Sequence, residues 1–335
     1  MKKVSFVVFF SLLLVTLLAT VSFAQGKTYA YISPGPDTWY QRDVEGFQYG
    51  AEKNGDKVIV LNSEYEVEKE IANIEQAINQ GVDGISMFSF NETGAIQCAQ
   101  RAAKAGIPVL VTDSVGSVFG HGVDVVAAID FDWTAMGVAY ANWMAENAPG
   151  ENFVIITGNF ESVPCQKVNA SMKETSEKLG KNKLLEVRSA HYNPNEAVNV
   201  AQDLVESGLD FGVMFIMDED MAAAVIRMLE SRKLLNNPIK VIAQNGSTAG
   251  IPLVKDGSLS YTISSSPGWE GLIAYEAMNA YVNGKIKDVN QQIMLPIMEV
   301  NASNIDDPMA VVPWEIAPDV YDKLTEKYFP QYSNK

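Results

Sequence analysis

The stretch "VEKEIANIEQAINQGVDGISMF", residues 67–88, carries the pattern that decides the fold. Val67, Ile71, Ile74 and Ile78 fall at spacings of three and four, which predicts a helix with one apolar stripe for covering a sheet. Gly81 ends that helix, and the apolar run from Gly84 to Phe88 has the length and residue types of a strand. The same unit recurs on both sides. Upstream lie "KTYAYIS" (27–33), a helix from about Trp39, and "KVIVL" (57–61); downstream lie the helical "ETGAIQCAQRAAKAG" (92–106) and "IPVLVTD" (107–113). Four βα units in a row predict a parallel sheet with crossover helices.

Beyond "VDVVAAI" (123–129), Asp132 is placed to cap the helix "WTAMGVAYANWMAEN". The alternation then restarts at "NFVIITG" (152–158) and runs through "LLEVRSA", "FGVMFIM", "IKVIAQ" and "LSYTIS" (259–264). A second sheet of the same design is expected. One more helix, "GWEGLIAYEAMNAYVNG", and one more strand, "QQIMLPIME" (291–299), predict that the chain crosses back to the first sheet before returning. Residues 305–335 read as an extension laid on the surface, with Trp314 and Tyr328 as its packing anchors.

Lys2 and Lys3 ahead of an apolar run from Val4 to Leu18, closed by Ser22-Phe23-Ala24, predict a signal peptide cleaved after Ala24. No later segment has the roughly 18 uninterrupted apolar residues of a bilayer span. Without Lys2 and Lys3 the formal charge goes from -16 to -18, which excludes nucleic acid and anionic membrane as partners. The remaining 311 residues are more than one core usually serves, so two lobes of about 150 residues are expected. Cys98 and Cys165 read as two buried thiols, and His121 and His191 are too few and too far apart for a metal site.

In open α/β sheets a ligand lies beyond the carboxyl ends of the strands, so the residues just after each strand are the first candidates. In the first series these are Asp37, Trp39 and Tyr40, then Phe90 and Asn91, then Asp113 and Ser114. The second series offers Asn159 and Phe160 with Gln166, His191 with Tyr192 and Asn193, Asp218 with Glu219, Gln244 with Asn245, and Ser264 to Ser266, of which Ser265 is the central one. Rings, short carboxylates and amides recur, and cations are missing. That chemistry suits a polyhydroxyl ligand, whose C–H face packs on an aromatic ring while a carboxylate accepts from its hydroxyls.

No glycine-rich phosphate cradle follows any strand, so no nucleotide cofactor is expected. No nucleophile elbow, metalloprotease helix or Cys/His pairing appears either. An enzyme would have to use Asp113 and Asp218 as a glycosidase-like acid and base. Asp132 and Asp218 also read as plain N-caps, since each precedes a helix.

These features together resemble the type 1 periplasmic binding proteins, specifically the ribose and galactose class of ABC-transporter solute receptors. The resemblance covers essentially all of residues 27–300. It rests on "GFQYGAEKNGDKVIVLNS", "IEQAINQGVDGI", "AAKAGIPVLVTDS", "FIMDEDMAAAVIRMLE" and "VKDGSLSYTISSSP". It implies two doubly wound α/β lobes joined by a three-crossing hinge: residues 25–130 with 266–294, and 131–265 with 295–304. It also implies a monomeric periplasmic receptor that serves an inner-membrane permease, or a chemoreceptor or sensor kinase, and carries out no catalysis. By this resemblance Trp39 and Tyr40 match the aromatics that stack on sugar, Asp37 the polar residue before them, and Asp113 the acid that grips ring hydroxyls. Tyr192, Asp218 and Asn245 match contacts from the second lobe. Ribose receptors typically carry Arg where this chain has Ser114 and Gln166, so a different pentose, a hexose, a sugar alcohol or a cyclitol is expected. Receptors for the furanosyl quorum signal share the fold, but the Lys of their first loop has no match in "SPGPDTWYQ".

Overall fold

The computed structural model describes residues 26–89, 92–112 and 118–333. The signal-peptide reading and the candidates Asn91, Asp113 and Ser114 lie outside the described residues. Strand β1 (Thr28–Ser33) is buried along its last five positions, as a strand covered on both faces must be. It pairs in parallel with β2 (Lys57–Asn62) on one side and β3 (Gly84–Phe88) on the other. With β4 (Val109–Thr112), β5 (Ala127–Phe131) and β11 (Gln291–Leu295) they form a six-stranded sheet in the order β11-β5-β4-β3-β1-β2, every pair parallel.

Helices α1 (Thr38–Lys53), α2 (Val67–Gln80) and α3 (Glu92–Lys104) fill the crossovers. The predicted stripe of α2 faces the sheet: Ile74 is fully buried, and Ile71 and Ile78 pack against the same core cluster. Gly81 follows in the left-handed conformation (φ 65°) that ends such a helix.

The second series repeats the plan. Strands β6 (Phe153–Thr157), β7 (Leu184–Ser189), β8 (Val213–Ile216) and β9 (Lys240–Ala243) form a parallel sheet in the order β7-β6-β8-β9. Helices α4 (Trp133–Asn147), α5 (Val163–Leu179), α6 (Pro194–Glu206), α7 (Glu219–Ser231) and the short α8 (Ile251–Asp256) accompany it. In both sheets the first strand of the series lies between the second and third, so the chain direction across the sheet reverses at β1 and again at β6. Those reversals are where α/β sheets open a crevice.

The chain passes between the two sheets three times. It leaves the first after β5; it returns after β10 (Thr262–Ser264) through α9 (Pro267–Val282), which packs on α1 and on β3 to β5; and it leaves again after β11. Here the single strand expected over 291–299 is corrected. It breaks at Pro296, and β11 stays in the first sheet while β12 (Met298–Val300) pairs antiparallel with β10. Pro296 has no N–H to give a ladder, so the break falls where pairing must change partners.

Residues after β12 lie over α1 and α9 with most positions partly or fully exposed, and include α10 (Pro318–Tyr328) followed by a 3-10 turn at Pro330–Tyr332. Trp314 is buried, and Tyr328 lies against Trp269 with ring centroids 6.2 Å apart.

Candidate functional site

Two loops build the first half of the site. After β1 the chain turns through Pro34-Gly35-Pro36, and Asp37 sits at the N-cap position of α1 without its side chain capping the helix. Its carboxylate instead accepts a short hydrogen bond from the hydroxyl of Tyr65, in the loop after β2. Trp39 is half-buried and makes T-shaped contacts with Phe131 and Trp314, with ring centroids 6.0 Å and 5.3 Å away. Tyr40 turns the other way, meeting Phe88 at 4.7 Å and Tyr65 at 6.3 Å. The adjacent rings at the helix start thus diverge, one toward β5 and the C-terminal segment, the other toward β3.

The second half mirrors the first in one detail that sequence reading missed. Tyr192, in the loop after β7, has φ 56° and follows His191 at φ 51°; Tyr65, after β2, has φ 60° and follows Glu64 at φ 50°. Each tyrosine ring lies over a glycine of the neighbouring loop: a Cβ on Gly158 would come within 2.2 Å of Tyr192, and one on Gly35 within 2.1 Å of Tyr65. Two consecutive left-handed residues are uncommon and point each ring back over the strand ends. Tyr65 was legible in principle, since "SEY" at 63–65 occupies the same place after its strand as "AHY" at 190–192.

Tyr192 shows 41% of its surface to solvent while its hydroxyl turns inward to 3.2 Å from the Sγ of Cys165. Burial of that hydroxyl raises its pKa well above the ordinary phenol value, with Cys165 and then Tyr40 adding to the effect. Trp314 links the two halves: its ring packs on Trp39 after β1 and its indole N–H donates to the Asn245 carbonyl after β9, so the two sets of loops lie on either side of one side chain. Cys98 and Cys165 are both free and buried.

Asp218 takes the capping role that its position predicts. One carboxylate oxygen caps α7, accepting from the Met221 N–H at 2.9 Å, and the other accepts from Asn245 Nδ2 at 3.3 Å. Burial lifts its pKa to about 6, against the opposing effect of the α7 backbone N–H groups. Asn245 is buried at φ 127° and takes part in the bridge between β9 and β10. Its neighbours Gln244 and Ser265 are buried too, and Gln244 Oε1 and Ser265 Oγ have no hydrogen-bond partner. Gln166 is exposed on the first turn of α5, its amide donating to the Phe160 carbonyl at 2.9 Å. Asp132 is an N-cap, accepting from Ala135 N–H at 2.8 Å, and Asn193 caps α6. His191 lies at the surface, 2.7 Å from Glu196.

Under Asp218, Glu219 is wholly buried. Oε1 accepts from Gly246 N–H (2.9 Å) and Thr262 Oγ1 (2.6 Å), and Oε2 from Ser247 N–H and Oγ (both 2.5 Å). This carboxyl ties the start of α7 to the loop after β9 and to β10. Burial raises its pKa to about 7 in spite of those donors, and burial does the same for Glu70. All three carboxyls hold a proton in the folded state at pH values where the unfolded chain has released it. The stability they confer is therefore fully present below the unfolded values, about 4, and is lost as pH rises through about 6 to 7. The ligand-free protein should melt several degrees higher at pH 5 than at pH 8; a melting temperature that climbs over that range would contradict the assignment.

A separate open groove of about 850 Å³ runs along α4, lined in part by Asp132, Trp143, Glu146, Ile297 and Glu299. Among the described residues no cluster of His, Cys, Asp or Glu could hold a metal, and no helix is long and apolar enough to cross a membrane.

Residues 30–286 match a family described as periplasmic binding protein domain. The chain is 25% identical over 265 residues to the ribose import binding protein of Bacillus subtilis, covering 76% of this chain and 80% of that one. It is 23% identical to the D-xylose-binding periplasmic protein of Escherichia coli, over 80% of this chain and 84% of the relative. Among solved structures it resembles an ABC transporter solute binding protein from Bacillus halodurans with bound myo-inositol. That likeness has a TM-score of 0.75 at 18% identity and covers 84% of this chain and 97% of the other.

Proposed function

Because the chain belongs to the periplasmic binding protein domain family, we propose that it is an exported receptor for a small neutral monosaccharide, sugar alcohol or cyclitol, which it hands to an ABC permease. The ligand lies between the loops after β1, β3 and β4 and those after β6 to β10. One observation carries this reading. Rings, carboxylates and amides, with no cation among the named site residues, gather at both points where strand order reverses, and Trp314 touches Trp39 from one series and Asn245 from the other.

In this reading Trp39 and Tyr192 flank the ring, Asp37, Asn91, Asp113 and Asp218 accept from hydroxyls, and Ser114, Gln166, Asn245 and Ser265 complete the polar lining. Ser114 and Gln166 stand where a ribose receptor would have cations, which turns the preference away from plain ribose. The lobes comprise residues 25–130 with 266–294 and residues 131–265 with 295–304. They move as two bodies about the three crossings, and ligand that touches both stabilises the closed form. The protein acts in the periplasm as a monomer, its signal peptide removed after Ala24, and performs no chemistry on what it binds.

The test is a thermal-shift screen of D-ribose, D-xylose, D-allose and myo-inositol against charged amino acids and sugar phosphates. A neutral compound should raise the melting temperature and be recovered unchanged. Stabilisation by charged solutes alone, or a chemically altered sugar, would overturn the proposal.

A further inference from the structure

The family match ends at residue 286, yet residues well beyond it reach the site. From Val312 to Glu315 the chain lies against the end of β10 and the start of α9. Val312 N–H donates to Ser264 Oγ at 3.1 Å, Ser266 Oγ donates to the Pro313 carbonyl at 2.5 Å, and the Tyr321 hydroxyl lies 2.8 Å from that same carbonyl. Two side-chain pairs fasten the segment to α1: Arg42 with Glu315 at 3.4 Å and Lys53 with Asp322 at 3.2 Å. Trp269 Nε1 donates to Thr325 Oγ1 at 3.1 Å and holds α10 against α9.

Trp314 sits at the centre of this seam. Its ring meets Trp39 edge to face, with centroids 5.3 Å apart and planes at 89°. Its indole N–H donates to the Asn245 carbonyl at 3.3 Å, which also accepts from the Ser265 N–H at 2.9 Å. Trp39 belongs to the first series and Asn245 to the second, so one buried side chain touches a proposed ligand residue from each. Without it, the half-buried Trp39 ring would keep Phe131 on one side and lose its neighbour on the other. Asn245, held at φ 127° where a side chain is strained, would lose one of the two donors on its carbonyl.

We propose that Trp314 is a positioning residue of the ligand site, and that the C-terminal segment is thereby a working part of the receptor, fixing the Trp39 wall and the Asn245 turn in the geometry that fits a sugar ring. The inference rests on the sugar-receptor reading above. Trp314 acts mainly through Trp39, with a smaller share through Asn245, so most of its effect on binding depends on Trp39 being present.

The experiment is a double-mutant cycle on the full chain, with affinity measured by calorimetry, or by ligand NMR where binding is weak, for whichever of D-ribose, D-xylose, D-allose and myo-inositol binds wild type most tightly. Trp314→Ala should weaken binding roughly five- to tenfold in the wild-type background. In the Trp39→Ala background the same change should cost less than about twofold. Trp314→Phe, which keeps an aromatic edge, should restore most of the loss, and near-ultraviolet circular dichroism should show every variant folded. Equal losses in both backgrounds, or no loss in either, would overturn the positioning role while leaving the receptor reading intact. If wild type bound none of the four, the receptor reading itself would fail, and this inference with it.

Discussion

Trp39→Ala should weaken sugar binding roughly thirty- to hundredfold, a loss of about 2–3 kcal/mol. The ring is half-buried in T-shaped contact with Phe131 and Trp314, so it is held in place before any ligand arrives. A pre-placed wall costs a ligand little ordering entropy, which is why a buried aromatic anchor tends to dominate binding. Truncation removes the flat surface and also leaves a gap beside Trp314. Trp39→Phe keeps a ring and should cost roughly tenfold or less. Calorimetric titration of both variants with the tightest-binding neutral sugar checks this. An affinity within about twofold of wild type for Trp39→Ala would remove the residue from the site.

Glu219→Gln should destabilise the protein by about 1–3 kcal/mol, although the two side chains have nearly the same shape. Each carboxylate oxygen accepts from a backbone N–H, Gly246 on one side and Ser247 on the other. An amide has only one acceptor oxygen, so whichever way it is turned, its NH2 group confronts one of those N–H groups. The Ser247 and Thr262 hydroxyls can rotate to suit the new group, but the backbone cannot. Asn245 adjoins the loop that Glu219 anchors, so sugar affinity should fall as well. Chemical denaturation at pH 8, where the native carboxyl is ionised, gives the cleanest comparison. Unchanged stability there would mean that the four hydrogen bonds contribute nothing net.

Much of the fold was legible because buried parallel strands write themselves as short β-branched runs and the covering helices as stripes such as Val67, Ile71, Ile74 and Ile78. The change of partner at Pro296 was not, since apolar residues continue on both sides of it and the break shows only in which strand supplies the ladder. In the site, Asp218 was readable as cap and candidate contact at once because a residue after a strand and before a helix can serve both. Tyr65 escaped notice although the place after β2 corresponds to the one that singled out Tyr192. Trp314 was read only as a packing anchor of the extension, and its place beside the site escaped for a different reason. It lies 275 positions from Trp39, and no local pattern announces a contact across that separation.

A crystal structure with the tightest-binding neutral sugar decides whether the ligand sits between the two sheets' loops. The ring should lie against Trp39, between the loops after β1 and β6, with a hydroxyl donating to Asp218 and Tyr192 closing the far side. A sugar seated in the groove along α4, or one that touches only a single sheet's loops with Trp39 unengaged, would contradict that placement.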